Sequence, residues 1–294
     1  MAAAWGLVVD TMTPGHALHA LIETLECNAT LHDPQRLGER LDALDHLELL
    51  LLTVTAIEPA LRRRIVEVQE RFGALNADLH ARMRDAIRCG QRPPLLAQCL
   101  DDARLDDDGG DGYDWRDELI GGVLQLQPPA PSDTLQPADM VAYQPTPARH
   151  IFSLLAQAQL TAKDVLVDLG SGLGHVPLLA AVCTDAGSIG IEREPAYVAC
   201  AQAAADALQL SHAHFHCMDA RATDFACGTL FYLYTPFAGA VLQSVLDALR
   251  REAQRRALRI AAHGPCVAAL AAQPWLETDL PARADRITLF RPRH

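Results

Sequence analysis

Residues 164–175, Asp-Val-Leu-Val-Asp-Leu-Gly-Ser-Gly-Leu-Gly-His, constrain the fold of this chain more than any other stretch. Val165, Leu166 and Val167 form a short apolar run that reads as a strand buried on both faces, as strands of parallel sheets are. The run ends in Asp168, and glycines follow at 170, 172 and 174, where the missing Cβ permits positive φ and lets the backbone turn sharply beside a ligand. Leu173 to Val182 then reads as a helix, with Pro177 tolerated because it falls in the first turn. Strand, glycine turn and helix in that order predict an open α/β sheet that holds a ligand outside the carboxyl ends of its strands.

The glycine spacing narrows the ligand. A dinucleotide turn needs Gly-x-Gly-x-x-Gly, and counting from Gly170 its third glycine would fall on His175; no Gly-Lys-Ser/Thr follows to make a phosphate loop. The pattern present, Asp-x-Gly-x-Gly-x-Gly from Asp168 to Gly174, resembles the first motif of the class I S-adenosylmethionine-dependent methyltransferases. That resemblance covers roughly residues 141–294 and makes Asp168, Gly170, Ser171, Gly172 and Gly174 cofactor contacts. Ser188 to Glu192 reads as a second strand, and Glu192 takes the family position whose carboxylate, otherwise unpaired, accepts from both ribose hydroxyls. His214 to Asp219 reads as a third, where the resemblance gives Asp219, with Ala220 beside it, to adenine. Gly228 to Phe237 is the fourth strand and its exit turn, which in relatives faces the methyl group. Tyr234 is therefore expected near the cofactor and, with Pro236 and Phe237, near the acceptor. Tyr143-Gln144-Pro145-Thr146 is similar to a Tyr-x-Pro-Thr segment of several bacterial members, which implies that Tyr143 and Thr146 meet the amino-acid end of the cofactor. Beside each acid stands a plainer reading, because Asp and Glu after a strand often cap the next helix.

The resemblance implies a doubly wound, mostly parallel seven-stranded sheet, closed by Leu258–His263 and by a hairpin of 275–280 with 286–291 whose last strand is antiparallel. A small all-α domain is expected before it. Residues 16–25, 36–54 and 59–87 carry apolar residues at spacings of three and four, and Ile65, Val68, Phe72, Leu75, Leu79 and Met83 make one stripe. The expected organisation is a helical accessory domain over 1–104, an acidic and proline-rich linker over 105–140, and the methyltransferase domain over 141–294. In the linker, Asp107, Asp111, Gly112 and Glu118 fall at positions of a calcium-binding loop, but Gly109 and Asp114 break that pattern, so a solvated hinge or lid is expected instead.

Charge separates acceptor classes. The whole formal charge of −12 falls in residues 1–140, while the remainder is balanced. An acidic module repels a phosphate backbone and favours a neutral or cationic small molecule or a basic protein surface. The eight cysteines show no Cys-x-x-Cys pair, which suits free thiols in a reducing, cytoplasmic setting. No apolar run is long enough for a membrane span, and no membrane partner is expected.

The resemblance implies an S-adenosylmethionine-dependent methyltransferase, and the charge directs it to a small molecule or a protein side chain and not to nucleic acid, with a possible homodimer through the helical domain. The alternative is a non-catalytic cofactor-binding or interaction protein that uses its acidic helical module. The motif also resembles that of the non-SET histone-lysine methyltransferases, although their asparagine-phenylalanine motif is absent at Tyr234 to Phe237. The same segment lacks the Asp or Asn that holds a base amine in nucleic-acid methyltransferases. No catalytic residue and no metal site is assigned. His212, His214 and His216 alternate on one strand face, too sparse for a metal site, and His175 and His263 are candidates for a general base at strand ends.

Overall fold

A computed structural model describes residues 13–104, 112–129 and 144–293. The chain divides into two compact units, Met1–Met83 and Arg84–His294. In the first, α1 (Pro14–Cys27), α2 (Leu37–Thr53) and the start of α3 (Pro59–Arg88) enclose a core of Leu18, Ile22, Leu47, Ile65, Val68 and Phe72. Asp33 caps a single 3-10 turn, Pro34–Arg36, and α2 begins after it. Arg40 is wholly buried in this unit, with the Asp33 carboxylate as a neighbouring opposite charge. Its guanidinium donates to the carbonyls of Leu31, Asp33 and Pro34 and to Asn76 Oδ1, which satisfies its buried N–H groups.

The second unit is built on seven strands: β1 (Val165–Leu169), β2 (Gly187–Glu192), β3 (Ala213–Cys217), β4 (Leu230–Tyr234), β5 (Arg259–His263), β6 (Leu276–Glu277) and β7 (Thr288–Pro292). Their order is β3-β2-β1-β4-β5-β7-β6, parallel except for β7, which runs antiparallel to β5 and β6. Helices α4 (Pro94–Asp102), α5 (Trp115–Leu124), α6 (Ala148–Ala158) and α7 (His175–Cys183) pack together, with α7 lying on β1 and β2. α8 (Pro195–Ala207) covers β2 and β3. On the opposite face α9 (Gly239–Ala253) and α10 (Cys266–Ala271) bury Leu242, Val245, Val267 and Leu270 against Val167, Ile191, Phe231, Leu233 and Ile260. This is the class I methyltransferase fold with a helical region before it. α4 and α5 belong to this second unit, and α5 occupies part of the stretch expected to be linker.

Because side chains alternate along a strand, register decides which residues share a face. Val167, Phe231 and Ile260 align toward α9, so their neighbours Asp168, Gly190, Tyr232 and Ala261, also aligned, point to the α6 and α7 side. Two residues further on, Glu192, Tyr234 and His263 reach the carboxyl ends on that same side. The chain reverses its direction of sheet growth between β1 and β4, so the ligand crevice of an open α/β sheet lies there. No described helix is long and apolar enough to cross a membrane.

Candidate functional site

The turn after β1 is held by its own backbone. Gly170 and Ser171 donate their N–H groups to the Ile191 carbonyl, at 2.8 and 3.0 Å. Gly172 N–H donates to Glu192 Oε2 at 2.8 Å, and Gly174 N–H to the Ser171 carbonyl at 2.9 Å. A phosphate-binding turn must leave such groups free, and here they are spent beside a carboxylate that would repel an anion. The turn therefore suits a nucleoside without phosphate.

All three glycines have positive φ, +89° at Gly170, +54° at Gly172 and +85° at Gly174. A Cβ on Gly170 would lie 2.2 Å from Pro236 Cβ, and one on Gly174 would lie 2.6 Å from the Phe215 ring and 2.9 Å from Ala201 Cβ. Packing within the protein by itself thus requires glycine at 170 and 174, and the positive φ is the sharp turn expected. Ser171 Oγ is buried with no partner among the described residues and lies where a Cβ on Gly190 would approach to 2.7 Å. It is a hydroxyl left unspent in the turn.

Glu192 is not the unpaired carboxylate expected. Its Oε1 accepts from the N–H groups of Arg193 and Glu194, at 2.7 and 2.9 Å, and its Oε2 from Gly172. With about two lone-pair positions on each oxygen, room for a hydroxyl remains. Asp219 likewise caps the 3-10 turn at Ala220, accepting from Arg221 N–H and forming a two-point ion pair with the Arg221 guanidinium. Arg221 holds the Asp219 carboxyl down at about 2. The plainer capping reading is therefore realised at Asp219 alone, since Glu192 ties the glycine turn to its own strand end and leaves the N-cap of α8 to Glu194. Asp168 is buried in β1, and burial, then the nearby Glu192, push its carboxyl well above the usual range.

Thr146 is buried with Oγ1 3.2 Å from the Tyr232 hydroxyl, under the same side of the sheet; Tyr143 lies outside the described residues. Ala220 and Phe237 are also buried, and both pack into the core beneath α9, so the Phe237 ring faces inward and away from the crevice. Pro236 sits on Gly170. Just before it, Thr235 is left-handed at φ +42° although a proline follows. Its hydroxyl donates to the His263 carbonyl and accepts from Cys266 N–H, which holds the strained turn in place.

Tyr234, His263 and His150 complete this end of the site. The His263 ring lies 4.7 Å from that of Tyr234 and 4.1 Å from that of His150, which enters from α6. Both His263 nitrogens are buried without a partner among the described residues. Burial and then His150 lower its pKa to about 3, and burial lowers that of His175 to about 4. Either side chain is neutral at pH 7 and would release a captured proton at once, which weakens the general-base expectation for both. His150, Tyr232 and Arg221 escape sequence reasoning. Counting two residues back from Tyr234 along one strand face finds Tyr232, but nothing in the sequence marks the other two. His214 and His216 are exposed on β3, and no cluster of three or more metal-binding side chains occurs among the described residues.

Residues 137–231, about a third of the chain, match the family model described as histone methylation protein DOT1. No curated protein matches. Among solved structures, an RNA methyltransferase from Salinibacter ruber in complex with S-adenosyl-L-homocysteine is 25% identical over 50% of this chain and 92% of its own, with a TM-score of 0.40. TrmN from Thermus thermophilus is 21% identical over 49% of this chain and 48% of its own, with a TM-score of 0.39. The putative methyltransferase yhhF from Escherichia coli is 16% identical over 53% of this chain and 89% of its own, with a TM-score of 0.40.

Proposed function

We propose that this chain, which belongs to the class I S-adenosylmethionine-dependent methyltransferases, transfers the methyl group to a side chain of a basic protein, with a small molecule as the other acceptor class and nucleic acid excluded. The observation that carries this reading is the exit turn of β4. Tyr234, Thr235, Pro236 and Phe237, with His263 beside them, include no carboxylate or carboxamide to hold an exocyclic base amine. The acidic charge of residues 1–140 favours a cationic partner over a polyanion. The description of the matched family, which names histones, supports a protein acceptor.

When bound, the cofactor supplies a methyl group already activated on a sulfonium. The residues that would hold it are Glu192 at the ribose, Asp219 and Ala220 at the adenine, and the Gly170–Gly174 turn with Asp168, Ser171 and Thr146 at the amino-acid end. Tyr143 is proposed for that end on its sequence position alone. What remains for the protein is to exclude water and hold the acceptor in line, about 3–3.5 Å from the reacting carbon. Tyr234 and the Pro236 turn are suited to that task.

Tritiated-methyl transfer to core histones, duplex DNA and bulk tRNA tests the reading. Label is expected in protein only. It is expected to fall as salt shortens the Debye length from about 30 Å at 0.01 M to about 10 Å at 0.1 M, because the attraction is long-range. Label in either nucleic acid would overturn it.

A further inference from the structure

The segment that carries Thr146 is gripped from outside by the start of α5. Asp114 caps that helix, its Oδ1 accepting from Arg116 N–H at 2.8 Å, and Asp117 Oδ2 returns the bond by accepting from Asp114 N–H at 2.7 Å. A capping box of this kind uses one oxygen of the second acid. The other, Asp117 Oδ1, accepts from the N–H of Ala148, the first residue of α6, at 2.8 Å. Two more contacts flank it: the Tyr113 hydroxyl donates to the Pro145 carbonyl at 2.9 Å, and Asp114 Oδ2 bridges Arg116 and Arg149, at 2.6 and 3.2 Å. Residues 113–117 therefore clasp residues 145–149 at three points. Thr146 lies inside the clasped stretch, and through Tyr232 it stands beside Asp168, which is paired with Tyr232 in register.

We infer that Asp117 is a positioning residue for the cofactor site, fixing the Thr146 segment against β4 and the glycine turn although it touches no cofactor atom itself. The inference rests on the proposed placing of Thr146 at the cofactor. Burial raises the Asp117 carboxyl above its ordinary range, against the pull of the two N–H bonds, so this acid is kept inside at a cost that capping α5 alone would not require. It also gives the acidic stretch a role other than that of a solvated hinge, at least over its described end.

Calorimetry with S-adenosylhomocysteine on the full chain tests this, at a temperature where circular dichroism shows each variant folded. Asp117→Ala is expected to weaken binding about tenfold, the worth of one charge-assisted hydrogen bond, and Thr146→Ala by a similar factor. The double variant is expected to bind no more weakly than the weaker single one, since both act through the same segment. Asp117→Asn, which retains one acceptor, and Tyr113→Phe should fall in between, and they carry the test if Asp117→Ala does not fold. Wild-type affinity in the Asp117 variants alongside weakened Thr146→Ala, or strict additivity in the double variant, would overturn the clasp. Wild-type affinity in Thr146→Ala would instead remove Thr146 from the cofactor site.

Discussion

The Glu192 carboxylate takes three backbone N–H groups before any ligand arrives, so Glu192→Ala should cost stability as well as affinity, about 1–3 kcal/mol for donors left buried. His263 and His175 act on stability through pH. Their pKa values in the fold, about 3 and about 4, lie below the ordinary 6.5, so the unfolded chain takes up protons first as pH falls. Their contribution is complete above about pH 6.5 and is lost on acidification, at about 1.4 kcal/mol per pH unit for each histidine. Asp168 works in the opposite sense, because its raised pKa makes the protonated fold favourable at low pH. The groups facing His263 are His150, Tyr234 and, more distantly, Asp285, the last of which pulls its pKa upward. Urea unfolding at pH 7.5 and pH 5 should show the loss, and His263→Phe should shrink it. An unchanged slope in that variant would mean that His263 is not the buried neutral group described.

At the scale of elements, the glycine turn is a joint between β1, β4 and β3. Gly170→Ala drives a methyl into Pro236 and Gly174→Ala drives one into Phe215 and Ala201, each at strongly positive φ. Each should lower unfolding free energy by about 1–3 kcal/mol with no cofactor present. Denaturant titration of the unliganded variants decides the matter, and wild-type stability in Gly174→Ala would contradict the packing. All seven strands are legible in the sequence within a few residues, the first three by the acids at or just past their ends, β4 and β5 as apolar runs, and β6 with β7 as the closing pair that the family resemblance implies. The same is true of α1, α2 and α3, whose stripes are long. α4, α5 and α10 are not legible: they are six to ten residues long, and α5 begins among acids that look solvated until Asp114 and Asp117 are seen to cap. α8 is missed because alanines carry most of its buried face. In the site, the acids are visible as strand-end residues, but the partners that share them, Gly172 N–H and Arg221, follow from turn geometry that no spacing rule encodes.

At the scale of the whole molecule, charge is uneven, balanced over residues 141–294 and −12 over residues 1–140, and the proposal of a cationic partner rests on that contrast. The sheet reverses between β1 and β4, and the glycine turn, Glu192 and Tyr234 lie at the carboxyl ends of β1, β2 and β4. The proposed function requires that the cofactor occupy this crevice with its ribose on Glu192. Isothermal calorimetry of S-adenosylhomocysteine binding to the wild-type chain and to Glu192→Gln tests it most directly, with folding of both checked by circular dichroism. The wild type is expected to bind one cofactor per chain. At least about tenfold weaker binding is expected for the variant, since a charge-assisted hydrogen bond to a hydroxyl becomes a neutral one. Equal affinity in the two folded proteins would contradict that position of the ribose.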